Sequence, residues 1–167
     1  MSEEPGEPWR AFIEIPKGGR NKYELNQETG HIELDRRLFG AVSYPVEYGF
    51  VMGTRTEEGE ELDAIVAVSE PTFPGCVVPI DVIGMLEMYD GDEPNHKILG
   101  VPLSDPAWSD LEEIDQLPGD LAQEIKHFFE VYTDLEGKEW RIEGWASKER
   151  AVAECDSARE RFREQEG

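Results

Sequence analysis

The sequence predicts an α+β fold that is mostly β, with an antiparallel, barrel-like middle and two helices flanking it. Three observations carry this prediction. Short apolar/polar alternations, separated by Gly-, Pro- and Asn-rich breaks, recur from Trp9 to Val101. Apolar stripes at helical spacing occur only beyond residue 118. No internal repeat or low-complexity linker divides the chain, so residues 9–167 read as one domain. Residues 1–8 are an acidic lead-in rich in Glu, Pro and Gly, a composition that predicts disorder.

The elements follow in order. Ala11–Ile15 alternates, Pro16-Lys17-Gly18-Gly19-Arg20 breaks the pattern, and Lys22–Leu25 resumes it. Asn26-Gln27-Glu28-Thr29-Gly30 is a hairpin loop leading into His31–Asp35. Further strands fit Tyr48–Met52, Asp63–Val68, Val77–Met88 with a bend near Gly84, and Lys97–Val101. Pro118 and Asp120 open a helix in which Leu121, Ile125, Phe128 and Tyr132 form one apolar stripe, ending near Gly137. A strand Glu139–Glu143 comes next. Ser147 then caps a last helix striped by Ala151, Cys155, Ala158 and Phe162.

At 167 residues the chain can bury a core without disulfides or structural metals. Cys76 and Cys155 stand alone, with no Cys-x-x-Cys pair, and read as small buried hydrophobes. Acidic residues number 38 against 16 basic, a formal net charge of −22. Nucleic acid and anionic membranes are therefore poor partners, whereas divalent cations are attracted. High working salt, which screens self-repulsion, is another reading of such acidity. No apolar run has the length of a membrane span and the N-terminus lacks a signal-peptide pattern, which points to the cytoplasm.

Two stretches carry chemistry. Glu57, Glu58, Glu60, Glu61 and Asp63 crowd around Gly59 and run into the apolar Ala64–Val68, placing carboxylates at the mouth of a sheet. Lys17, Arg20, Lys22, Arg36 and Arg37 concentrate basic charge in one short window, as an anion pocket requires. Carboxylates on one wall and Lys/Arg on the other suit a metal-bound polyphosphate. No Gly-rich loop ends in Gly-Lys-Ser/Thr, so a P-loop nucleotide site is not supported. Surface ion pairing would also account for the basic window, and a solvated loop for the acidic one. His96 reads as a solvated loop histidine, and His31 and His127 as structural.

Ile13-Glu14-Ile15-Pro16-Lys17, Arg20-Asn21-Lys22-Tyr23-Glu24, Leu34-Asp35-Arg36, Tyr44-Pro45 with Tyr48-Gly49-Phe50, Glu70–Cys76, Lys97-Ile98-Leu99 and His127–Glu130 together resemble the soluble family I inorganic pyrophosphatases. The resemblance runs from about Phe12 to Trp145. It implies a five-stranded OB-like antiparallel barrel with flanking helices, a homo-oligomer that in bacteria is commonly a hexamer, and hydrolysis of pyrophosphate with Mg²⁺, Mn²⁺ being an alternative. It places Lys22, Arg36, Tyr48, Lys97 and Tyr132 on phosphate, and Glu58, Asp63, Asp90 and Asn95 at metal positions. Glu60 falls where a general base acts on a metal-activated water, and Glu14, Glu24 and Tyr44 in the outer network.

Five positions depart from the family pattern. Glu58 and Glu60 stand where the family has Asp, and Glu61 where it has Pro, within Glu58-Gly59-Glu60-Glu61-Leu62-Asp63. Asn95 replaces a metal-binding Asp and Thr133 a phosphate-contacting Lys. These changes leave two alternatives: a pyrophosphatase-like binding or structural protein with a weakened site, and a hydrolase of another phosphoanhydride.

Overall fold

The computed structural model describes residues 7–137 and 140–166, the side chains of Thr133 and Glu136 aside. The first six residues of the acidic lead-in, and Glu139 of the expected last strand, lie outside the described residues.

The strands are β1 (Trp9–Ile15), β2 (Asn21–Leu25), β3 (Ile32–Arg37), β4 (Glu47–Val51), β5 (Leu62–Val66), β6 (Val77–Asp90), β7 (Glu93–Pro94), β8 (Lys97–Pro102) and β9 (Trp140–Ala146). The helices are α1 (Leu121–Glu136) and α2 (Lys148–Glu166), with a 3-10 turn at Ile114–Gln116 before α1. Neighbours run β1-β4-β5-β8-β6, and β6 pairs back onto β1, so five strands close into a ring. This is the OB-like barrel. β2 and β3 form a separate hairpin, and β9 extends β6 outside the ring.

One pairing departs from the expected antiparallel pattern: β5 and β8 run parallel, Ile65 opposite Leu99. Both strands are buried almost throughout, as the even slant of parallel pairing between covered faces allows. The bend near Gly84 is a register slip in β6 between Val82 and Gly84. A Cβ at Gly84 would lie 2.5 Å from Ile114 in the 3-10 turn, so only Gly lets that turn lie on the strand.

α1 ends at Gly137, which takes φ +66 as a left-handed cap. Asp120 is its N-cap residue but makes no side-chain capping bond. Ile125, Phe128 and Tyr132 of the expected stripe are buried, and Phe128 and Tyr132 join Tyr44 and Trp140 in an aromatic floor. In α2 the Ser147 hydroxyl accepts from the Arg150 N–H at 3.3 Å, and Ala151, Cys155 and Ala158 are buried. Cys76, expected to be buried, is only partly covered. His31 and His127, expected to be structural, are exposed.

Candidate active site

A cavity of about 740 Å³ gathers residues from the barrel, the β2–β3 hairpin and both helices. Every side chain that the family resemblance assigned to catalysis, substrate, metal or the outer network lines it, from Glu14 to Tyr132, but of the basic window only Lys22 and Arg36 do: Lys17 reaches the Val68 carbonyl, Arg20 the Gly40 carbonyl, and Arg37 lies outside the cavity.

The basic wall comes from the hairpin, whose register sets Lys22 opposite Arg36. Cross-strand neighbours share a face, so both cations meet the same space. Lys22 Nζ lies 3.1 Å from Glu24 and 3.2 Å from Asp35. Burial works against its charge, but Tyr132, Glu24 and Asp35 outweigh that and raise its affinity for a proton. Arg36 donates to the Tyr132 hydroxyl at 3.2 Å, tying the hairpin to α1. The Tyr48 hydroxyl is held protonated, pushed well up by burial and by nearby Asp63.

The acidic wall is built on β1, β5 and the β4–β5 loop. Alternation along β5 buries Leu62 and Ala64 and turns Asp63 to the cavity. Lys97, only 2% exposed, reaches Asp63 at 2.6 Å and the Asn95 amide oxygen at 2.9 Å, over the Tyr48 ring. Asn95, expected at a metal, thus spends its amide oxygen on a cationic side chain. Glu14 accepts the Leu25 N–H at 2.8 Å. Burial, reinforced by Asp63, Glu24 and Glu61 against the opposing pull of that N–H, pushes its carboxyl up to about 7.

Glu58 and Glu60 sit on the exposed rim. Among the described residues no three Asp, Glu, His or Cys side chains converge tightly enough to hold an ion as they stand. Like charges in one cavity repel, and Lys97 already neutralises Asp63. The chemistry of the donor set nevertheless fits a hard divalent cation, because the acidic wall offers carboxylate oxygens and no thiolate. Asp63, Glu24 and Glu61 add to the burial that holds the Glu14 carboxyl protonated, and a bound cation would offset that added negative charge.

His96 corrects its expected place. It is buried, its Nδ1 accepts the Met88 N–H at 3.2 Å, and its ring meets Tyr89 edge-on. Burial lowers its proton affinity, so it is a buried group packed on β6 rather than a solvated loop residue.

Sequence reasoning missed two groups. Arg150, Glu154 and Arg161 of α2 also line the cavity. Their spacing of four and seven places them on one face beside the apolar stripe, which was the available signal. Glu47 is fully buried and accepts from the Thr72 N–H at 2.7 Å, the Thr72 hydroxyl and the Lys17 N–H. It ties the loops after β1 and β5 to β4, and nothing in its neighbourhood in the sequence announced it.

A family model described as inorganic pyrophosphatase matches residues 11–163. The inorganic pyrophosphatase of Streptomyces coelicolor is 48% identical over 93% of this chain and 96% of its own length. That of Geobacillus stearothermophilus is 44% identical over 93% and 94%. The crystal structure of the Thermus thermophilus inorganic pyrophosphatase superposes with a TM-score of 0.90 at 35% identity, covering 98% of this chain and 96% of that one. With fold, cavity and sequence in agreement over nearly its whole length, the chain belongs to the inorganic pyrophosphatase family.

Proposed function

We infer that the protein hydrolyses inorganic pyrophosphate to two phosphates, acting as one domain over residues 9–167. The observation that carries this is the two-walled cavity, carboxylates facing Lys, Arg and Tyr, in a chain of this family. Lys22 and Arg36 take the phosphate oxygens, Arg36 through its planar fork. Tyr48 and Tyr132 hold their hydroxyls as donors beside them. Glu60 accepts the proton of the attacking water as its oxygen bonds to one phosphorus. The bridging P–O bond breaks, and its electron pair leaves on the second phosphate, whose charge Lys97 and the hairpin cations meet.

Glu58, Asp63 and Asp90, with the Asn95 carbonyl oxygen, would hold Mg²⁺ or in its place Mn²⁺, and Glu14, Glu24 and Tyr44 would brace them. Bound divalent cations would supply Lewis acidity toward the phosphate oxygens and the attacking water. Glu58 and Glu60 are each one methylene longer than the family's Asp. Gly59, at φ +89, gives the backbone between them the freedom that would let it adjust to the extra length.

Among the described residues no helix is long and apolar enough to cross a membrane. The net charge of −22 disfavours nucleic acid and anionic membranes as partners, and the protein is assigned to the cytoplasm on its sequence character. Exposed Leu34, Phe39 and Phe73 support a homo-oligomer, a hexamer by the family resemblance. The test is phosphate release from pyrophosphate with Mg²⁺ and then Mn²⁺, at low and high salt. Asp63→Asn should abolish turnover and leave the fold intact. Undiminished turnover in that variant would refute the assignment. No release from folded wild-type protein would favour the binding-protein reading or another phosphoanhydride.

A further inference from the structure

The acidic loop between β4 and β5 is well tied internally. The Thr54 hydroxyl donates to the Val51 carbonyl at 2.6 Å and accepts the Leu62 N–H at 3.1 Å, closing the loop at its base. Thr56 closes it at the tip, its N–H donating to the Glu60 carbonyl at 2.6 Å and its carbonyl accepting the Gly59 N–H at 3.0 Å. None of these bonds fixes the loop against the rest of the cavity.

That attachment comes mainly from the C-terminal helix. The Arg55 N–H donates to the Ala158 carbonyl at 2.9 Å, and the Arg55 guanidinium lies over Phe162, 5.1 Å from its ring centre. Arg161 donates to the Arg55 carbonyl at 3.4 Å and to Glu57 at 3.5 Å. The same contacts sort the charges. Glu57 is paired with Arg161, Glu61 with Arg55 at 3.8 Å and with Gln27 at 2.5 Å, and Asp63 with Lys97. Among the described residues Glu58 and Glu60 alone of the five make no ion pair.

We propose that Arg161 is a positioning residue: from α2 it anchors the acidic loop through Glu57 and the Arg55 carbonyl, leaving Glu58 and Glu60 unpaired for cation binding and proton transfer. This rests on the reading of the loop as part of the hydrolytic site. A guanidinium suits the task because one planar group serves a carbonyl and a carboxylate at once. Each contact is long and partly exposed, so the effect lies in placement rather than in global stability. Misplacement by about 1 Å costs on the order of 10²-fold in rate, which makes modest loosening visible.

The test uses the full chain and three variants, Arg161→Ala, Arg161→Lys and Glu57→Gln, read by amide hydrogen exchange, by Mn²⁺ titration and by turnover. The first two measurements need no catalysis, so the proposal and the pyrophosphatase assignment fail separately. Losing the charge-assisted contacts should speed exchange at residues 56–62 by roughly tenfold in Arg161→Ala, with β6 and β8 unchanged. Mn²⁺ affinity should fall several-fold and kcat more than KM, with partial recovery in Arg161→Lys. A folded Arg161→Ala protein with wild-type loop exchange and Mn²⁺ affinity overturns the proposal. If that variant does not fold, Glu57→Gln and Arg161→Lys carry the test, and wild-type behaviour in both overturns it.

Discussion

Glu14 should make the protein less stable as pH rises, and Glu14→Gln should remove that loss. An exposed glutamate ionises near 4.5, but here burial, with Asp63, Glu24 and Glu61 nearby, holds the carboxyl up to about 7. Between those values the folded chain keeps a proton that the unfolded chain has released. Stability therefore falls as pH rises through that window and levels off above it. At ~1.36 kcal/mol per pH unit the loss comes to about 3 kcal/mol, and to about 2 after allowance for solvent screening of a partly exposed side chain. Gln keeps an oxygen for the Leu25 N–H and has nothing to ionise. The measurement is urea unfolding of both proteins with a chelator, at fixed ionic strength, from about pH 5 to 8.5, a range above the isoelectric point near 4.3. The variant should exceed wild type by less than about 1 kcal/mol at the acid end, where the window has just begun, and by about 2 kcal/mol at the alkaline end. Saturating Mg²⁺ should shrink the difference, because a cation beside Asp63 favours the charged carboxylate. Parallel curves across the range would refute the reasoning.

Lys97→Met should destabilise the metal-free protein by about 2 kcal/mol, since it strips Asp63 of its partner, and Mg²⁺ should recover at least half of that in urea unfolding. The loss is set below that for a fully buried pair because Asp63 retains 30% exposure. Glu47→Ala should cost about 3 kcal/mol by calorimetry, leaving the Thr72 and Lys17 N–H groups without their acceptor, while Glu47→Gln should cost less. Gly49→Ala should prevent folding or cost more than about 4 kcal/mol, as a Cβ there would sit 1.8 Å from the Phe12 carbonyl oxygen; circular dichroism of the purified variant decides it.

Much of the fold was legible because its signals are local. The α1 stripe, the Gly137 cap and the Ser147 cap each lie within a few residues of the element they define. What escaped depends on residues distant in sequence. The parallel β5–β8 pairing cannot be read from either strand, since a buried run looks the same whichever way its neighbour points. His96 lies in a polar stretch that looks like open loop, and its contacts come from elsewhere, the Met88 N–H and the Tyr89 ring of β6. Glu47 was silent for the same reason: its partners are 30 and 25 residues away. The cavity side chains were found together because resemblance supplied long-range information that spacing does not. The Arg150–Glu154–Arg161 face of α2 was visible as a periodicity but had no apolar signal to draw attention to it.

The return of β6 onto β1 also governs how the chain acquires its shape. β1 is made well before β6, and its second ladder, Trp9 opposite Ile80 and Phe12 opposite Val77, waits for residues 65 to 71 positions later. β6 in turn needs β8, whose last pair sets Ile80 opposite Pro102. Closure is therefore a late event with a long loop to immobilise, and refolding belongs with the slower, non-local class, on a timescale of about milliseconds to seconds. Until then the nascent chain presents an unpaired strand edge, and its dense negative charge keeps neighbouring copies from joining there.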